Sequence, residues 1–262
     1  MEWYWILSFV AVGLGAGFLS GLLGIAGGIV TVPSLLFVFR QMGMPSDALM
    51  HVAIGTSLSS MTFNSFASML AHNRKGAVIW EAIVKMAPGL ILGVVAGSAL
   101  ADQLSSGFLQ IFFGVFEMCV GLYFLCPMKA KEEALPSFWV LSGAMFVISS
   151  ISAMLGIGGG LMVTPLLMFL GFSMKRALGS ASATSFFVCL FGAISYLILG
   201  LNSGVEVEDC IGFVHFPSFL TIMLIAPFAA VLGAYLTHEL PVKRLKKIFG
   251  VALVIAGAAI IW

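Results

Sequence analysis

The stretch Gly24-Ile25-Ala26-Gly27-Gly28-Ile29-Val30-Thr31-Val32-Pro33 returns in the second half of the chain as Gly156-Ile157-Gly158-Gly159-Gly160-Leu161-Met162-Val163-Thr164-Pro165. Further matches follow in the same order. Ala53-Ile54-Gly55-Thr56-Ser57 aligns with Ala181-Ser182-Ala183-Thr184-Ser185, and Gly97, Gly114 and Gly121 align with Gly233, Gly250 and Gly257. One such match is within reach of chance, but an ordered series marks an internal duplication.

Both copies lie in a chain that is too apolar to face water. Of 262 residues, 61% are hydrophobic and 9% are charged, and the mean hydropathy is +1.13. A soluble domain of this length carries about a quarter charged residues, so lipid is the main solvent here. A net charge of +1 with no basic stripe argues against a nucleic-acid partner. Cys119, Cys126, Cys189 and Cys210 have no ligand-like spacing, so neither a metal nor another cofactor is expected.

Apolar stretches cover approximately 4–24, 29–40, 46–72, 77–101, 105–127, 136–156, 160–172, 176–200, 213–237 and 242–262. Most approach the roughly 20 residues that cross a hydrocarbon core. The first lacks a basic leader and reads as a retained span, not a signal peptide. Two stretches, 29–40 and 160–172, are short, and each directly follows a glycine cluster. They read as halves of broken hairpins that return to the side they came from.

Basic residues then set the orientation. With the N-terminus outside, Arg74, Lys75, Lys129, Lys131, Lys175, Arg176, Lys243, Arg244, Lys246 and Lys247 fall on the cytoplasmic side, and only Arg40 falls outside. The acidic loop 201–212, with Glu206, Glu208 and Asp209, is then external, and so are both termini. Each copy holds a hairpin plus three full spans, an odd number of crossings, so the second copy enters from the opposite face. The expected fold is an all-α polytopic membrane protein of two inverted-topology repeats. Residues 1–128 form one repeat and 129–262 the other, joined by a short polar linker with Lys129, Lys131, Glu132 and Glu133. Gly13, Gly17 and Gly21, and likewise Gly89, Gly93 and Gly97, lie on single helix faces and suit close helix packing.

Open backbone at membrane depth must be buried in protein or line a watery cavity. The first amides of the short helices, from Gly27, Gly28 and Ile29 and from Gly159, Gly160 and Leu161, have no intrahelical acceptor. With the helix dipole they form a ready anion site, and inversion points both at the bilayer middle. The plainer reading is a tight helical turn with no ligand. Thr56-Ser57 and Thr184-Ser185 stand about ten residues into their helices, near mid-depth. Their hydroxyls either donate to an oxyanion or bond back to their own helix carbonyls. Ser57, Ser60, Asn64 and Ser68 form a polar stripe that suits a cavity wall.

Lys85 and Glu117 fall at similar depth on adjacent helices. A structural ion pair between them is the first reading, and proton coupling by Glu117 the sharper one. His51 falls near the external mouth, and His72, His215 and His238 fall near span ends without a pattern. No Lys-Ser/Thr pair follows either glycine cluster, which removes a P-loop. No Ser/His/Asp set or metal-ligand spacing suggests an enzyme.

The paired glycine element, followed in each half by a Thr-Ser pair, resembles the TauE/SafE family of sulfite exporters and sulfonate permeases over essentially the whole chain. The resemblance implies a bacterial inner-membrane transporter of sulfite or an organosulfonate such as sulfoacetate, often exporting it from the cytoplasm with proton coupling. It implies binding positions at Gly27, Gly28, Thr56 and Ser57, and at Gly159, Gly160, Thr184 and Ser185. Ala26 stands where the second copy has Gly158, so the two tips need not bind equally. An anion channel and an uptake permease are the competing readings. The expected partners are the small anion and the lipid bilayer. A homodimer is compatible with the sequence, although no segment advertises a dimer face.

Overall fold

A computed structural model describes residues 3–23, 27–125, 135–204, 207–236 and 242–261. The linker charges Lys129, Lys131, Glu132 and Glu133, together with Gly24–Ala26, Cys126, Glu206 and His238, lie outside the described residues. Among the described residues, ten helices follow one another: α1 (Trp3–Leu23), α2 (Gly28–Gln41), α3 (Ser46–Arg74), α4 (Trp80–Asp102), α5 (Ser106–Leu125), α6 (Phe138–Leu155), α7 (Gly160–Phe169), α8 (Met174–Asn202), α9 (Phe216–Leu236) and α10 (Val242–Ile261). Each falls on one of the expected apolar stretches. The all-α polytopic membrane architecture is therefore observed, and α1, α4, α6 and α8 are long and apolar enough to cross a bilayer by length and composition. Trp3, Trp139, Phe228 and Val231 are largely exposed, so the outer surface is apolar and suited to lipid.

The two short helices share a local design. Pro33 and Pro165 stand six residues into α2 and α7, each removing one backbone donor from its helix. In α2 the Thr31 hydroxyl bonds the Gly27 carbonyl at 3.0 Å, and in α7 the Thr164 hydroxyl bonds that of Gly160 at 2.8 Å. Both bonds tie a side chain to the first turn.

Helix pairing follows the duplication. α1 packs on α9, α4 on α6, α3 on α8 and α5 on α10. Exchanging each helix for its counterpart (α1 for α6, α3 for α8, α4 for α9, α5 for α10) returns the same set of pairs. Contacts also fix direction. Gly114 meets the Gly257 carbonyl and Gly121 that of Gly250, so α5 and α10 run antiparallel. Gly55 lies against Tyr196 and Gly192 against Leu58, so α3 and α8 do too.

Gly13 and Gly17 rest on Ile222 and Ala226 of α9, and Gly89, Gly93 and Gly97 rest on the backbone of α6. These glycines serve close packing, worth more in lipid, where apolar side chains gain little from meeting one another.

Helix α3 forms the centre, buried without interruption from Ala48 through Thr62. One element is absent from the sequence reading. Across the junction of the expected external loop 201–212 and the expected span 213–237, β1 (Cys210–Ile211) and β2 (Val214–His215) pair antiparallel, turning through Gly212 at φ +57°. This small hairpin does not stay outside. Phe213, Val214 and His215 are buried, Phe213 donates its N–H to the Tyr196 carbonyl at 3.3 Å, and its own carbonyl abuts Gly55 of α3.

Candidate functional site at the hairpin tips

Gly27, Gly28 and all of 156–160 are buried, and the two tips touch. A Cβ added to Gly28 would stand 2.6 Å from the Gly156 carbonyl oxygen and 3.0 Å from the Ile157 Cα. The Ser57 hydroxyl donates to that same Gly156 oxygen at 3.0 Å, joining α3 of the first copy to the tip of the second. Met61 Sδ, 2.9 Å from the same Cβ position, completes the cover. The α2 tip is thus closed by a carbonyl oxygen and a thioether, neither of which suits an anion. Inversion predicts both helix N-termini facing one shared guest, but here the tips meet with backbone against backbone.

The α7 tip is different. Gly159 adopts φ +75° and Gly156 φ +69°, left-handed conformations that glycine takes without steric cost. The Gly159 carbonyl accepts the amides of Met162 and Val163, each at 3.0 Å. Among the described residues, the amides of Gly160 and Leu161 have no acceptor. Gly160 opens on a cleft of about 50 Å³, enough for more than one water. Ser182 and Ser185 line it from α8, Asn64, Ser65 and Ser68 from α3, and Ser20 from α1, with His72 towards the α3 C-terminal end. Ser185 Oγ is 2.5 Å from where a Gly160 Cβ would stand, and Asn64 donates to Ser20 Oγ at 3.3 Å. The Gly160 amide, the positive end of a helix and several serine side chains converge here, although Ser182 donates its own hydroxyl to the Gly179 carbonyl at 2.7 Å. The arrangement can hydrogen-bond an oxyanion without a full counter-charge.

The remaining hydroxyls are engaged elsewhere. Thr184 bonds back to the Ala181 carbonyl at 3.0 Å, Ser60 to the Thr56 carbonyl at 2.8 Å. Thr56 Oγ1 accepts the His215 N–H at 2.9 Å, so the small hairpin caps α3 at mid-length. His215 sits edge-on to Phe39, at 5.1 Å between ring centroids, and its Nδ1 meets Ser218 Oγ at 2.9 Å. Its sequence gave one signal, a histidine in an apolar run just after a glycine turn, which carries no direction by itself. His51 is likewise buried, with Nδ1 at 3.2 Å from Ser106 Oγ and Nε2 at 3.0 Å from the Ala101 carbonyl. It straps α3 to the α4–α5 turn, and is not merely interfacial.

Lys85 and Glu117 do not pair. Lys85 binds Glu81 one turn away at 2.8 Å, where both are partly exposed. Glu117 is 1% exposed, and its Oε2 has no hydrogen-bond partner. Ile29 and Leu161 are buried; Ile29 borders a second cavity shared with Glu117. Among the described residues no three His, Cys, Asp or Glu side chains group to hold a metal ion.

The family model described as sulfite exporter TauE/SafE matches residues 9–260. The chain is similar to a probable membrane transporter protein of Haemophilus influenzae, 30% identical over 96% of both chains. It is 26% identical to one of Methanocaldococcus jannaschii, over 95% of this chain and 92% of that one. It is also 26% identical to one of Bacillus subtilis, over 97% and 96%. No solved structure matches the chain significantly.

Proposed function

Taking as premise that this chain belongs to the sulfite exporter TauE/SafE family of membrane transporters, we propose that it moves sulfite or an organosulfonate such as sulfoacetate across the bacterial inner membrane. It exports the anion from the cytoplasm, coupled to protons, by alternating access around the hairpin tips. The observation that carries this reading is the α7 tip, where Gly160, whose amide has no acceptor among the described residues, and Ser185 line a polar cleft. A sulfonate or sulfite offers several acceptor oxygens to such donors. Glycine at position 160 leaves the approach to the backbone unobstructed.

The antiparallel counterpart helices support two inverted repeats, residues 1–128 and 129–262, each with a broken hairpin and three spans. In this reading the basic ends face the cytoplasm and both termini face out. The cleft then opens to the cytoplasm, past Ser68 and His72, while Phe213–His215 seals the outer side over Thr56. Access from one side at a time favours a carrier over a channel with a continuous pore. In the outward-facing state the tips separate, and Gly27, Gly28, Thr56 and Ser57 become the second half of the site.

Purified protein in liposomes tests this directly. Saturable uptake of sulfite or sulfoacetate that responds to a pH gradient is expected. Absence of flux for every sulfur anion tried refutes the reading, and linear, non-saturating flux with unitary currents replaces it by a channel.

A further inference from the structure

Along α2 lies a far larger cavity, of about 800 Å³, which shares no lining residue with the polar cleft. Val12 and Leu19 of α1, Ile29 and Pro33 of α2, and Leu253 and Ala256 of α10 form much of its wall. Two charged groups line it, Arg40 at the C-terminal end of α2 and Glu117 of α5. They do not meet. Arg40 donates to Gln110 Oε1 at 3.0 Å, and Gln110 in turn donates to the Ile260 carbonyl. Gln110 precedes Glu117 by seven residues, about 10 Å along α5. Glu117 is therefore left in an apolar wall with Oε2 unpartnered.

Among the described side chains, the elements packed on α5 offer this carboxyl no counter-charge. On α10, the residues that line the cavity, Leu253, Ala256, Ala259 and Ile260, carry no charge. On α3, the titratable groups towards α5 are Asp47 and His51, held at the Ser106 end. α6 presents no charged residue in Phe138–Leu155. An ionised carboxylate without a counter-charge at membrane depth is costly. A metal ion would require several oxygen ligands, and besides Glu117 the lining residues offer only the side-chain oxygens of Ser8 and Ser34. A proton needs only the one free oxygen.

We propose that Glu117 is a proton-binding site reached through this cavity, which shares no lining residue with the anion cleft, and that its proton is the coupling ion. The proton site stands on the cavity and the orphaned oxygen; the coupling rests on the transport reading above. The link between the two is α2 itself. Its Ile29, Val30 and Pro33 wall the cavity, while Gly28 rests on the Gly156 carbonyl of the other tip. Gaining or losing a charge at Glu117 changes the hydration of the cavity, and so acts on the short helix that must move for the tips to part.

A lipophilic carbodiimide, which attacks protonated carboxyls in apolar surroundings, tests the site in reconstituted protein. Expected is a mass-spectrometric adduct at Glu117 that declines as pH is raised and is missing in Glu117→Gln. No adduct at any pH, or a yield independent of pH, overturns the proton site. For coupling, sulfite uptake by Glu117→Gln is expected to run at one rate with and without a pH gradient, with size-exclusion chromatography confirming a folded variant. Uptake still accelerated by the gradient overturns the coupling. If wild-type protein moves no sulfur anion, the transport reading fails, and the labelling result still decides the proton site.

Discussion

The two hairpin tips descend from one sequence element, yet they are not equivalent in this conformation. At the α2 tip, Gly28 lies against the Gly156 carbonyl and Ile157 Cα, and Ser57 spends its hydroxyl on that carbonyl. At the α7 tip, a Cβ on Gly160 would meet the end of the Ser185 side chain first, with the Ala181 carbonyl oxygen farther off at 3.3 Å, and Gly160 opens on a polar cleft. Glycine serves contact in the first and access in the second. One motif can therefore supply both a closed seat and an open site, and a carrier that alternates needs its two halves out of phase.

The largest effects expected from this contrast come from adding one methyl group at each tip. Gly28→Ala pushes a Cβ into backbone that cannot yield, and is expected to cost about 1–3 kcal/mol of stability, read as a lower melting temperature. Gly160→Ala displaces a hydroxyl that can rotate, so its melting temperature should shift far less while sulfite uptake in liposomes is abolished. Equal destabilisation by both variants would erase the distinction between the tips.

Accessibility gives the next test. In an otherwise cysteine-free protein, Ser68→Cys should react with a water-soluble thiol reagent from the His72 end. Thr56→Cys, under the small hairpin, should not react from either end. Fast labelling of Thr56→Cys would mean that the Phe213–His215 plug does not seal. A smaller effect is expected at Asn64, which lines the cleft and holds Ser20. Asn64→Ala should weaken sulfite affinity by roughly 2- to 10-fold, the worth of one neutral hydrogen bond, as measured by uptake KM.

Much of this was legible in the residues. Hydropathy located every helix because lipid imposes a run of apolar residues on each span, and the repeated Gly-Gly…Pro element located both tips because open backbone at depth needs glycine. What could not be read was which partner each polar group takes. Thr56 and Thr184 are equivalent in the repeat, yet one accepts the His215 amide and the other bonds its own helix. That difference depends on a two-residue β pairing, too short to show any periodicity. The expected Lys85–Glu117 pair failed for a similar reason. Depth along two helices says nothing about which way they face, and Glu81, one turn from Lys85, was the nearer partner.

The central claim is that, in the conformation described, the anion binds at the α7 tip and not between the tips. Titration of the purified protein with sulfite, comparing Ser185→Ala with Ser57→Ala, tests it most directly. The account predicts that removing the Ser185 hydroxyl weakens binding roughly 10- to 100-fold, as for a hydrogen bond to a charged group, and that Ser57→Ala lowers stability by about 1 kcal/mol with binding retained. Binding lost equally in both variants, or unchanged in Ser185→Ala, would contradict it.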